Sequence, residues 1–186
     1  MRIDFPAGGL RDGSVALTHY RPEDAPLAVA GATDPLVIEF ANVPWGSEPV
    51  AAIEQRITET WPALAADGQS ANLAIRDNAS ETYLGHFVAF GFVWRDGRGE
   101  VGFWLSPAGR GRGAATAAVR LFTAWAFKAL DVHRLQATTF EDNRASQAVL
   151  ERAGFVREGR LRSYFPRPDG NRTDAIMFSL LPIDMG

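Results

Sequence analysis

The stretch Val101–Thr116, VGFWLSPAGRGRGAAT, constrains the fold more than any other, because its apolar period changes halfway. Val101, Phe103 and Leu105 alternate with Gly102 and Trp104, and alternating β-branched and aromatic residues predict a strand. Pro107 has no N–H to give a ladder, so that strand should stop near Ser106. From Ala114 onward, Ala115, Ala118, Val119, Phe122 and Ala126 fall at helical spacing, and nothing breaks the helix before Asp131. A strand, a glycine–arginine loop and a long apolar helix therefore follow one another without a gap.

The loop has the composition of an anion site. A helix N-terminus leaves backbone N–H groups free and carries roughly half a positive charge. Gly111 and Gly113 let the backbone curl close to a phosphate, and Arg110 and Arg112 add donors that suit phosphate oxygens. A pyrophosphate held mainly by main chain fits this loop, and so does a solvated turn with two surface arginines. Two familiar phosphate loops are set aside. A P-loop needs a lysine after its last glycine, and none follows Gly113. A dinucleotide fingerprint needs a third glycine where Thr116 stands, and its acidic partner at the end of a second strand, whereas Asp131 falls at the end of the helix.

The downstream residues supply context. Leu135–Phe140 reads as the next strand, Asn143 is placed to cap a following helix, and Gly154 to end it in a left-handed conformation. Arg110-Gly-Arg-Gly-Ala-Ala115 resembles the Arg/Gln-x-x-Gly-x-Gly/Ala pyrophosphate loop of the GNAT acetyltransferases. Asn143-x-x-Ser146 followed by Val149-Leu-Glu-x-x-Gly-Phe155 is similar to the next helix of that family. Within the family the chain looks most like the Rim-type branch of ribosomal-protein N-terminal acetyltransferases. The likeness covers about 15–181 in element order and is motif-specific from Glu100 to Phe155.

At 186 residues the chain fits one domain over 1–186, with ample length for a core and with a loose glycine-rich lead-in expected over 1–13. Its net charge of −3 argues against general nucleic-acid binding. With no cysteine it has no disulfide, thiolate nucleophile or cysteine metal site, and His19, His86 and His133 lack ligand spacing and read as satisfied structural or surface histidines. No apolar run approaches the roughly 18 residues that would span a bilayer, and no apolar signal core follows Met1, so a cytoplasmic protein is expected.

Val15–Tyr20 alternates as a first strand, and a helix is expected to about Ala32 with Asp24 as its N-cap. Prolines and Gly46 suggest an irregular segment, then a helix from Pro49 to Trp61 with Ile53, Ile57 and Trp61 on one face. Strands are expected over Leu73–Arg76 and Tyr83–Trp94, with bends at Gly85 and Gly91, and a hairpin turn over Asp96–Gly99. Phe155–Leu161 and Arg172–Leu181 read as late strands around a loop at 163–171. The fold class expected is α/β, with a mixed, mostly antiparallel twisted sheet flanked by helices.

The resemblance implies the chemistry. The co-substrate would be acetyl-CoA, with no metal, and the reaction acyl transfer to a primary amine by direct attack in a ternary complex. Backbone groups around Trp104 and Leu105 would pair with the pantetheine arm as an added strand does. N–H groups around Arg110, Gly111, Arg112, Gly113, Ala114 and Ala115 would hold the pyrophosphate. Asn143 would bond the pantetheine arm or serve as helix cap alone. Glu100 matches an acidic residue that acts as general base in some GNAT enzymes, and is otherwise a solvated carboxylate after a hairpin. The tyrosine that many GNAT enzymes place on the helix after the Asn motif is Leu150 here. Ser146 is the substitute acid that the Rim pattern suggests, and Tyr164 a weaker one. The Rim likeness favours a peptide or protein α-amine. A small-molecule amine, a non-catalytic acyl-CoA-binding module and a possible homodimer remain open at this point. Phe40, Trp45 and Trp61 fit either an acceptor pocket or ordinary packing.

Overall fold

The computed structural model describes residues 2–41, 43–167 and 169–185. Two short strands, β1 (Leu10–Arg11) and β2 (Val15–His19), open the chain. Four short helices follow: α1 (Ala25–Ala32), α2 (Pro35–Phe40), α3 (Val50–Gln55) and α4 (Trp61–Ala66). Then come β3 (Ala71–Asp77), β4 (Tyr83–Val93), β5 (Arg98–Leu105), α5 (Ala114–Ala129), β6 (Arg134–Phe140), α6 (Arg144–Arg152), β7 (Val156–Pro166) and β8 (Arg172–Leu180). The eight strands form one sheet in the order β1-β2-β3-β4-β5-β6-β8-β7. Every neighbouring pair is antiparallel except β5–β6, whose connection contains α5. This is the mixed, mostly antiparallel sheet flanked by helices that the sequence predicts.

Alternation along the strands sends side chains to two faces. Leu73, Ile75, Phe87 and Val101 join Val119, Phe122 and Ala126 of α5 in the larger core. Ala74 and Trp104 turn the other way, into a second cluster with Ala28, Val37, Ile53 and Trp61 of the four short helices. Burial on both faces holds β3–β5 firmly in the middle of the sheet, and the site grows from these strands.

Several local expectations are corrected. The segment 1–13, expected as a loose lead-in, carries β1 and buries Ile3 and Phe5 under α5, although Met1 lies outside the described residues. The apolar side chains outweigh the local glycines. Asp24 does not cap α1 with its side chain. Its carboxylate instead accepts from the Arg21 N–H at 2.7 Å and pairs with the buried Arg76, which also donates to Thr18 Oγ1 at 3.0 Å. A buried charge needs such partners, and that demand overrides capping. The supposedly irregular segment contains α2, started by Asp34, whose Oδ1 accepts from Leu36 N–H at 3.1 Å.

The helix expected to end at Trp61 runs on to Ala66, with a π turn at Arg56–Thr60 between α3 and α4. Pro62 has no N–H to bond four residues back, and the wider turn before it accommodates that loss. Ile53, Ile57 and Trp61 still share the buried face. The late loop is shorter than expected, because β7 continues through Pro166 with register shifts on β8 and a left-handed Ser163, φ 52°. Pro168, within that expected loop, lies outside the described residues. Gly154 ends α6 as expected, with φ 97° and its N–H on Glu151 O at 3.0 Å. Among the described residues no helix is long and apolar enough to cross a membrane.

Candidate active site

The site forms where β5 and β6 part. The two strands pair only as Arg98–Arg134, Gly99–Leu135 and Glu100–Gln136. Beyond Glu100, β5 continues on β4 as far as Leu105, while β6 continues on β8 as far as Phe140. The second half of β5 therefore has a strand neighbour on one side only. A cleft of about 580 Å³ opens between the diverging halves, a size suited to a small ligand or the end of a larger one.

Strand register builds its floor. His86 pairs with Trp104, Val88 with Gly102 and Phe90 with Glu100, so all six face one side of the sheet. A Cβ on Gly102 would lie 3.3 Å from Val88 Cγ1 and 3.6 Å from Phe90, so glycine keeps the floor low between Glu100 and Trp104. Glu100 stands at the fork, where its Oε1 accepts from Gln136 Nε2 at 2.8 Å. It is the only carboxylate among the described lining residues.

The opposite side comes from β6, α6 and β7. Asn143 Oδ1 accepts from Ser146 N–H at 3.1 Å, the helix cap that the sequence predicts, and Asn143, Ser146 and Leu150 all line the cleft. Tyr164, placed by the extension of β7, lines it as well. The cleft thus brings together Glu100, Trp104, Asn143 and Ser146 from the sequence-predicted set. Phe40, Trp45 and Trp61 also line it.

The glycine–arginine loop follows from the end of β5, beyond the residues that line the cleft. Gly111 and Gly113 have φ of 72° and 76°, which L side chains rarely adopt, and a Cβ on either would meet nothing within 4 Å. The space over the loop is open. No side chain caps α5, and its first backbone bond runs from Ala117 N–H to Gly113 O at 3.0 Å. The donors of Ala114 and Ala115 are thus presented at the helix end. Each of the two arginines is paired with an aspartate. Arg110 pairs with Asp34, and Arg112 with Asp77 Oδ2 at 2.6 Å. Arg110 is the first cause that holds the Asp34 carboxyl below its usual range. Main chain rather than free guanidinium is therefore what this loop offers a phosphate. These features, an unpaired strand edge leading to an uncapped helix end under open space, fit a pantetheine arm and its pyrophosphate.

His86 is a buried, hydrogen-bonded structural histidine, and the sequence reading did not place it in the cleft that it lines. It sits among Trp45, Trp61 and Trp104, and its Nδ1 shares a hydrogen bond with Tyr20 Oη at 2.9 Å. Tyr20 Oη in turn bonds Tyr83 Oη at 2.9 Å. Its signal was the alternation His86, Val88, Phe90 on β4, which shares a face with Trp104. Desolvation pushes the His86 pKa down to about 3, so the ring is neutral at physiological pH. An unfolded chain would bind this proton near pH 6.5. The stability it contributes is therefore whole above pH 6.5 and is lost as pH falls from there towards 3. Denaturant melts at pH 7 and pH 4.5 should show that loss, and His86→Gln should lessen the difference; an unchanged difference would contradict the assignment. Among the described residues two buried side-chain polar atoms lack partners, Trp104 Nε1 and Thr139 Oγ1, and both belong to cleft-lining residues. No group of three or more His, Cys, Asp or Glu side chains among the described residues could hold a metal ion.

With this geometry in hand, the chain can be set beside known proteins. A family model described as the acetyltransferase (GNAT) domain matches residues 14–156. An uncharacterized N-acetyltransferase of Bacillus subtilis, YoaA, is 27% identical over 139 residues, 74% of this chain and 78% of that protein. A solved ribosomal α-N-protein acetyltransferase, RimL, in complex with coenzyme A, superposes with a TM-score of 0.81 at 17% identity, covering 95% of this chain and 97% of that one. A spermidine N-acetyltransferase from Vibrio cholerae, in complex with CoA and spermine, superposes at 0.79 and 17% identity, covering 93% and 98%.

Proposed function

Because the chain belongs to the GNAT acetyltransferase family, we propose that it moves an acetyl group from acetyl-CoA onto the free α-amine at the end of a peptide or protein. The observation that carries this reading is the charge of the cleft. Glu100 is the one carboxylate among its described lining residues, and Arg56 the one cationic side chain, since burial keeps His86 neutral. A polyamine carries several positive charges and needs several carboxylates to hold them. An α-amine needs far less. Its pKa of about 7.7–8.0 makes deprotonation at pH 7 cost about 1 kcal/mol, against about 4–5 for a lysine amine. One carboxylate at the mouth of the fork suffices for that.

The residues take the following parts. The N–H groups from Gly111 to Ala115 hold the pyrophosphate, and the unpaired edge of β5 at Trp104 and Leu105 receives the pantetheine amides. Asn143 keeps its Oδ1 on the helix cap and offers its Nδ2 to the arm. Glu100 removes a proton from the acceptor ammonium, the nitrogen forms a bond to the acetyl carbon, and the bond from that carbon to sulfur breaks. The nitrogen sheds its second proton as it becomes an amide, and the Ser146 or Tyr164 hydroxyl relays a proton to the thiolate and regains one in exchange, so the products are the amide and CoA thiol. α6 carries no tyrosine, and Leu150 stands where many members of the family have one. Release of CoA thiol should be measured side by side with a free-amine peptide and with spermidine. We expect kcat/KM for the peptide to be at least about tenfold higher; the reverse order would overturn the α-amine reading.

A further inference from the structure

We propose that the aromatic wall of the cleft is a side-chain pocket for the acceptor, and that it selects an amine carried beside an aromatic or large aliphatic group. In a peptide this means an N-terminal phenylalanine, tryptophan or leucine. The inference rests on the α-amine reading above and adds to it the class of residue that bears the amine.

Four rings from separate parts of the chain meet on one side of the cleft. Trp45 comes from the segment between α2 and α3, Trp61 from the start of α4, His86 from β4 and Trp104 from β5. They are packed on each other rather than around a space. Trp45 meets Trp61 edge to face at 5.6 Å and His86 at 5.4 Å, while His86 stacks on Trp104 at 5.6 Å. A cage for an ammonium group needs open ring faces around the cation. Here neighbouring rings cover those faces, and what remains for a ligand is an apolar surface. Across the cleft Phe140 stacks on Phe165 at 4.4 Å, so aromatic groups bound it on both sides.

The charges nearby are already spoken for. Arg56 lies bidentate on Glu48, with Nε on Oε2 at 2.7 Å and Nη2 on Oε1 at 2.5 Å. His86 Nδ1 is engaged with Tyr20, and burial keeps its ring neutral. A glutamate side chain seated here would find no free cation, and a lysine would compete with the α-amine for the one carboxylate among the described lining residues, Glu100. A serine or glycine would leave the wall uncovered. In an apolar pocket one methylene is worth about 10–200-fold in kcat/KM, so a whole ring against a hydroxymethyl group should exceed tenfold.

The test uses the full chain, acetyl-CoA and peptides that differ only at their first residue: glycine, serine, lysine, glutamate, leucine, phenylalanine and tryptophan. The expected result is a kcat/KM at least about tenfold higher for the last three. Phe90, on the exposed rim of the same face, provides a variant outside the packed wall. Phe90→Ser should narrow the preference severalfold while leaving acetyl-CoA affinity intact. 2-Phenylethylamine, which offers the ring without a peptide, is run alongside. Equal rates for all peptides would overturn the pocket and leave the α-amine reading standing. Turnover of phenylethylamine with no peptide turned over would overturn the α-amine reading and keep the pocket. No turnover of either would overturn both.

Discussion

Gly113→Asp should weaken acetyl-CoA binding by at least about a hundredfold while changing thermal stability little. Gly113 is the N-cap of α5 and holds φ at 76°. An L residue there costs about 1–2 kcal/mol. Its Cβ would enter open space, so nothing clashes. The new carboxylate would cap the helix and meet its positive end, which recovers about 0.3–1 kcal/mol. Fold and binding therefore separate. The carboxylate takes the same N–H groups that the pyrophosphate needs, and its charge repels the phosphates. Gly113→Ala carries the strain without the charge and should lose much less affinity. Calorimetric titration of the three proteins checks this, and unchanged affinity in the aspartate variant would remove the loop from the cofactor site.

Glu100→Gln should lower kcat at pH 7 by about 10²-fold, at the lower end of what a general base contributes, because an α-amine is already partly neutral at that pH. Acetyl-CoA affinity should not change, since Glu100 stands at the fork and its neighbour is Gln136, far along β5 from the glycine loop. The pH profile carries the sign. As pH rises past the amine pKa near 8, more acceptor is neutral without help, so the gap between the two proteins should close by about pH 9. A constant gap across pH, or none at pH 7, would deny Glu100 the role of base.

Much of this architecture was legible from period and punctuation. The shift from alternation to helical spacing at Pro107–Ala114 located β5 and α5, and Asn143 and Gly154 marked the ends of α6, because capping and left-handed turns are decided by adjacent residues. What stayed hidden was set by distant partners. Asp24 reads as a helix cap until Arg76, far along the chain, claims it. The ion pairs of Arg110 with Asp34 and of Arg112 with Asp77 join residues far apart in the chain, so no local pattern showed them. His86 gave no spacing motif, since the three tryptophans around it come from separate parts of the chain that only the fold assembles. The cleft itself depends on how far β5 and β6 stay paired, and no local pattern encodes the point at which two strands separate.

The most direct test of the account is to incubate the protein with acetyl-CoA and a single peptide that carries both a free α-amine behind a phenylalanine and an internal lysine, and then to map the acetyl group by fragmentation mass spectrometry. The account predicts one acetyl group per peptide, on the N-terminal nitrogen, with the lysine untouched. Acetylation of the lysine with the α-amine left free would contradict it, since a single carboxylate in a neutral, aromatic cleft would then be performing the more costly deprotonation and ignoring the cheaper one.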